Sequence, residues 1–266
     1  MLEQFDDETI NRLLKDKPST RAWKDIPQEE QAAIRAAKKA RELEAERKVV
    51  RERIERFWRR TVPERYQNVR LKNLQPSNVS HMPPEKQKAI FDLMRAAPTA
   101  GYAFFSPQGW SKSTCLYALY RHALVTNAWD VAMGITPAEG APVFGIHTLH
   151  PVMLYEAKEL MDRIQQWKIG EADAPMVTAK KIARLKVDHG ITTHLFLDEF
   201  EKVKKSEFRM AEMYDIINAC YKHNAQLVIA GNMTKADLDD KNQYLEGTFR
   251  RIEDLTTPHF WEFGGK

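Results

Sequence analysis

A chain of 266 residues, 43% hydrophobic and 29% charged, is long enough for one mid-sized core plus an appendage and has the balance of a soluble globular protein. No apolar run reaches the roughly 18 residues of a membrane span, and the acidic, polar start "MLEQFDDETINRLLKDK" is unlike a secretory signal. Net charge is only +4, and two distant cysteines, Cys115 and Cys220, lack metal-ligand spacing, so the chain reads as cytoplasmic with reduced core thiols.

Residues 1–61 form the first region. It contains no glycine and no strand pattern, and "QEEQAAIRAAKKARELEAERKVVRERIERFWRR" is built from strong helix formers with interleaved charge. Leu43, Val50, Ile54 and Phe57 make a narrow apolar stripe, which suits an exposed helix resting on one partner. The Phe57-Trp58 pair fits such a partner contact. Residues 31–60 are rich in Lys and Arg, a surface suited to nucleic acid or simply to solvent. Pro63 ends the helix, and residues 62–100 follow as a lead-in segment and linker, with three prolines in "LQPSNVSHMPPEKQ".

From residue 101 to 266 short apolar strands alternate with helices. "YAFF" (102–105) reads as a strand and "KSTCLYALYRHAL" as a helix turning Leu116, Leu119 and Ala123 inward. "PVFGIHTL" (142–149) reads as a second strand. "HPVMLYEAKELMDRIQQW" then reads as a helix opened by Pro151 and striped by Leu154, Leu160, Met161 and Ile164. "HLFLDEF" is a buried strand, "RMAEMYDIINACYKHN" a helix, "AQLVIAGNMT" a fourth strand, and "HFWEF" a fifth. This alternation predicts an α/β fold with a five-stranded parallel sheet covered on both faces.

Ligands of such sheets sit at the carboxyl ends of the strands, and three polar clusters fall there. "SPQGWSKS" has phosphate-loop spacing, with Ser106 and Ser111 where the two outer glycines of that loop would stand. In that reading Ser106, Pro107, Gln108, Gly109, Trp110, Ser111, Lys112, Ser113 and Thr114 wrap the phosphates of ATP. Lys112 reaches their oxygens and the Ser113 hydroxyl ligates Mg²⁺. A plain Ser-Lys-Ser turn is the other reading. "HLFLDEF" delivers two acids: Asp198 to hold Mg²⁺ and Glu199 to activate water, or alternatively a helix cap. "LVIAGNMT" ends in Asn232, an amide able to bond a terminal phosphate and the lytic water, or else a turn residue. Beyond it, "GTFRRIEDL" carries Arg250 and Arg251 on a helix, either a surface pair or a group acting on a neighbouring subunit's nucleotide.

Loop, acidic strand, polar strand and arginine helix occur in the order of a P-loop AAA+ ATPase. The chain resembles the DnaC-type helicase loaders and their relatives, the IstB-type transposition helper ATPases. "VPERYQNVRLKNL" is similar to the family's Pro-x-Arg-Tyr segment, and "GYAFFSPQGWSKSTCLYAL" to its Walker A. "HLFLDEFEKVKKSEFRMAEMYDIINACYKHNAQLVIAGNMT" is similar to its Walker B through sensor 1, and "LEGTFRRIEDL" to its box VII, with Arg251 matching the arginine finger better than Arg250. The likeness covers residues 62–264.

The resemblance implies a three-layer AAA+ domain over residues 101–266. It also implies a slow ATPase, regulated by DNA or a partner, with catalytic Lys112, Glu199, Asn232 and Arg251. No helical lid domain is expected after "HFWEF". It implies ATP-dependent self-association, DNA contact, single-stranded in this reading, and a partner held by the arm: a replicative helicase for a loader, a transposase for the alternative. Lys180, Lys181, Lys202, Lys204 and Lys205 are candidate phosphate-backbone contacts, or ordinary solvated lysines. Extra residues stand before the acidic strand, in "WKIGEADAPMVTAKKIARLKVDHGI", and the two serines in the loop leave open a non-hydrolysing adaptor.

Overall fold

The computed structural model describes residues 27–77, 80–106, 109, 111–134, 151–175, 177–204, 206–234, 237, 247–257 and 259–262. It divides into two units, Met1–Phe57 and Trp58–Lys266. The described backbone of the first is helical from Gln28. Helix α1, Gln28–Thr61, opens with Glu29 and Glu30 and closes with Arg59 and Arg60, a charge order that complements the helix dipole. It stops two residues before Pro63, as the proline requires.

The second unit begins with Trp58, on the last turn of that helix. Trp58 is fully buried, its indole Nε1 donates to the Gln67 carbonyl at 2.9 Å, and the Arg121 guanidinium lies 4.7 Å over its ring. The expected partner contact through Phe57 and Trp58 is corrected here for Trp58, which is core. An indole that finds both an apolar enclosure and a hydrogen-bond acceptor is more stable inside than out. Gln67 returns the tie by donating Nε2 to the carbonyls of Arg59 and Val62 at 3.1 and 3.2 Å, which pins the "PERYQ" segment.

Next come α2 (Pro84–Ala96), β1 (Tyr102–Phe105), α3 (Lys112–Gly134), β2 (Val152–Glu156), α4 (Ala157–Lys168) and α5 (Ala179–His189). They are followed by β3 (His194–Asp198), α6 (Glu207–Lys222), β4 (Gln226–Gly231), α7 (Thr248–Thr256) and β5 (Phe260–Glu262). The strands lie in the order β2-β3-β4-β1-β5, all parallel. Four strands of four to six residues form the body of the sheet, and β5 adds a three-residue edge to β1.

Alternation sends successive side chains to opposite faces. Ala103, Phe105, Leu195, Leu197, Leu227 and Ile229 share one core with Leu160, Met161 and Ile164 of α4, and with Ile216, Ile217 and Cys220 of α6. On the other face Phe196 meets Tyr120 of α3, ring centroids 5.3 Å apart, and Tyr102 stacks on His259 at 4.6 Å. Both described cysteines are free and buried. Among the described residues no helix is long and apolar enough to cross a membrane.

One expected element is corrected. Residues 152–156 are a strand, not the first turns of a helix opened by Pro151. Their pairing with β3 runs in register from Val152↔His194 to Glu156↔Asp198. A short apolar run satisfies either conformation, and the vacant edge of β3 decides for strand. The helix starts at Ala157 and turns Leu160, Met161 and Ile164 inward. The strand expected at 142–149 lies outside the described residues.

A second element had no counterpart in the sequence reading. The supposed extra residues contain α5, capped by the Thr178 hydroxyl, which accepts from the Lys181 amide at 3.2 Å. It closes at Gly190, whose φ of 67° only glycine adopts without strain.

Candidate functional site

The strand order brings the polar clusters together. β4 lies between β1 and β3, with Phe105 level with Gly231 and Leu197 level with Ile229. The carboxyl ends of all three strands therefore meet at one rim, at neighbouring spacings of about 4.8 Å. The Ser106 amide donates to the Gly231 carbonyl at 3.2 Å, continuing the ladder to the start of the loop. At this rim opens a cleft of about 760 Å³ whose walls include Gly109, Lys112, Ser113, Asp198, Glu199 and Asn232. Ser111 and Thr114 also line it. The structure thus brings residues of the loop after β1, the acidic end of β3 and the polar residue after β4 into one cavity. Pro107, Gln108 and Trp110 lie outside the described residues.

Lys112 opens α3 and is buried. Its ammonium donates to the Ser106 carbonyl at 2.7 Å and to the Ser106 hydroxyl at 3.1 Å. Burial pulls its pKa down to about 8, partly opposed by the charges of Glu201 and then Asp198. A buried cation at the first turn of a helix, beside a left-handed glycine, is the chemistry of an anion site. Gly109 has φ 85°, and a Cβ there would meet His81 Nδ1 at 2.6 Å. Ser111 also adopts a left-handed φ, 59°. That backbone is natural for glycine and costs a serine about 1 kcal/mol, which explains why glycine is the residue expected there.

Asp198 ends β3. Its Oδ1 accepts from the Ser113 hydroxyl at 3.4 Å and from the Glu199 amide at 2.9 Å. Burial raises its pKa, and those two donors hold it back. A hydroxyl and a carboxylate converging in this way are hard oxygen donors, the type Mg²⁺ takes. The donor set fits that ion.

Glu199 sits at φ 52°, a left-handed backbone held by the turn that follows. Its Oε1 pairs with Lys202 Nζ at 2.6 Å. The group on Asn232 is a different acid, Glu201. Its Oε2 accepts from the Asn232 amide N–H at 2.9 Å and its Oε1 from the Asn232 side-chain Nδ2 at 2.7 Å. Glu201 lines the cleft and was missed in the sequence, where it is one acid in the charged run "EFEKVKK". Also missed was the cover over the loop: the His81 amide and the Ser80 hydroxyl donate to the Gly109 carbonyl at 2.9 and 3.4 Å. Arg65 and Tyr66 line the same cleft, with Tyr66 stacked on Tyr117 of α3 at 4.3 Å.

Arg251 is not part of the cleft wall. It lies on α7 with its guanidinium 4.3 Å over the Tyr221 ring, and Arg250 beside it is exposed. Of the candidate lysines, Lys180 and Lys204 are exposed. Lys202 is paired with Glu199, and Lys181 donates to the Pro175 carbonyl at 2.6 Å. Lys205 lies outside the described residues.

No protein-family profile matches this chain, and neither does any curated protein sequence. Solved structures do match. The crystal structure of the DnaC helicase loader aligns over 76% of this chain and 100% of its own, at 16% identity and a TM-score of 0.51. AMPPCP-bound DnaA from Aquifex aeolicus aligns over 76% of this chain and 51% of its own, at 12% identity and a TM-score of 0.47. A DNA replication initiation factor aligns over 73% and 49%, at 15% and 0.47. The chain has the fold of the DnaC helicase loader, and at the level of fold this agrees with the resemblance to DnaC-type AAA+ ATPases carried by the motifs.

Proposed function

We propose that this chain binds ATP with Mg²⁺ in the cleft at the sheet rim and hydrolyses it slowly, as a DnaC-like loader of a replicative helicase. The observation that carries the reading is the convergence of Lys112, Asp198 and Asn232, from three distant stretches of sequence, on one cavity. Ser113 and Asp198 would hold Mg²⁺, which supplies positive charge against the phosphates. Lys112 offers its ammonium to phosphate oxygens in exchange for the Ser106 acceptors. Glu199 takes the proton of the attacking water once it is released from Lys202. Asn232 orients the terminal phosphate and the water. Arg251, held against Tyr221, acts on the nucleotide of an adjacent subunit in an ATP-dependent oligomer. Residues 1–61 grip the helicase, and Lys180, Lys181, Lys202, Lys204 and Lys205 are the proposed contacts to single-stranded DNA. The aligned structure of a protein named as a helicase loader supports this role.

ATP turnover with and without single-stranded DNA, in wild type, Lys112→Ala and Glu199→Gln, tests the reading. Lys112→Ala is expected to abolish turnover. Glu199→Gln is expected to keep nucleotide binding and lose hydrolysis by about a hundredfold or more. Turnover unaffected by either change refutes it.

One arrangement favours a second reading, the non-hydrolysing adaptor: both polar groups meant for the lytic water are engaged elsewhere, Glu199 by Lys202 and Asn232 by Glu201. In an adaptor Lys112→Ala leaves partner binding intact. Co-purification with a helicase or with a transposase separates the loader from the transposition helper.

A further inference from the structure

Within the cleft Glu201 accepts a pair of hydrogen bonds from Asn232. One carboxylate takes both the backbone and the side-chain donor of that residue, at 2.9 and 2.7 Å. A carboxylate on two converging N–H groups occupies them as an oxygen pair of a phosphate would. It is held there by its own turn: Phe200 before it is fully buried, and Val203 two residues after it is also buried. The backbone opposite leaves room for it, since a Cβ on Gly231 would come within 3.2 Å of Glu201 Oε2. Glu201 and Lys112 line the same cleft.

We propose that Glu201 is a charge gate that sets the choice between nucleoside diphosphate and triphosphate, by holding Asn232 as an internal anion where a terminal phosphate would bind. The inference rests on the nucleotide reading of the cleft and adds to it a specificity residue. A diphosphate stops short of Asn232 and leaves the gate closed. A triphosphate has to displace Glu201 from both donors and then sits beside its negative charge, so the isolated protein disfavours triphosphate.

Calorimetric titration of wild type and Glu201→Gln with ADP and with a non-hydrolysable ATP analogue, both with Mg²⁺, tests this. The isosteric amide removes the charge and one of the two acceptors. The analogue is expected to bind Glu201→Gln about tenfold more tightly than wild type, as for relief of one close like charge, while ADP changes by less than about twofold. Glu201→Ala gives the same selectivity through a different side chain, and matched melting curves confirm that both variants fold. An equal shift for the two nucleotides, or a shift in neither, overturns the gate and leaves nucleotide binding standing. Failure of wild type and variants to bind either nucleotide overturns both.

Discussion

Ser106 gives the Lys112 ammonium two oxygen acceptors, a carbonyl at 2.7 Å and a hydroxyl at 3.1 Å, and only the hydroxyl depends on the side chain. In the proposed nucleotide site an incoming phosphate has to displace both. A hydrogen bond to a charged amine is worth roughly 1.5 kcal/mol, so Ser106→Gly is expected to bind ATP about tenfold more tightly, measured by titration with a non-hydrolysable analogue. Unchanged affinity would mean that the hydroxyl does not hold the amine back. The residues legible in the sequence explain themselves at this scale. Asp198 terminates an apolar strand, and Asn232 and Lys112 follow others, so polarity stood out against a buried background. Glu201 was not legible because its neighbours Glu199, Lys202 and Lys204 are charged too. Only the tight Phe200–Lys202 turn decides that it faces Asn232 while Lys202 faces Glu199.

Among elements, the β3–β4 pair carries its own polar clasp. His194 and Gln226 are register partners, and His194 Nδ1 lies 2.6 Å from Gln226 Oε1. Gln226 Nε2 donates in turn to the carbonyls of Pro98 and Ala100 at 3.1 and 2.7 Å, which ties the turn before β1 to the sheet. Burial holds the His194 pKa below its usual value; the Gln226 bond opposes the shift and nearby His122 adds to it. The folded state therefore binds the proton less readily than the unfolded chain. Stability is present above the ordinary histidine range and is lost as pH falls through it. Melting temperature is expected to drop more between pH 7.5 and 5.5 in wild type than in His194→Asn, and equal drops would exclude His194 as the source. β1, β3 and β4 could be read from sequence because each is a continuous apolar run ending in polar residues. β2 could not, since "VMLYEAKELMDRI" merges a strand into a helix with no turn residue between them, and only pairing with β3 sets the break at Ala157. α5 was hidden by its high charge, although Thr178 and Gly190 mark both its ends.

For the molecule as a whole, the placement of Arg251 separates a self-sufficient site from a shared one. Its guanidinium is held 4.3 Å over Tyr221, on α7 and α6, and it does not line the cleft that contains Lys112. Stacking on an aromatic face keeps the planar group extended and charged without neutralising it, which suits delivery to a second molecule. If the site is completed in trans, nucleotide must drive assembly, because each interface gains a triphosphate–arginine contact. Light scattering is expected to show a larger species with a non-hydrolysable ATP analogue than with ADP. Arg251→Ala should keep nucleotide affinity in the dilute monomer and lose about a hundredfold or more of the turnover of the assembled protein. Tyr221→Phe should retain that turnover and Tyr221→Ala reduce it, because the ring face, not the hydroxyl, carries the guanidinium. Full turnover in Arg251→Ala would make the arginine a surface residue and each cleft an independent site.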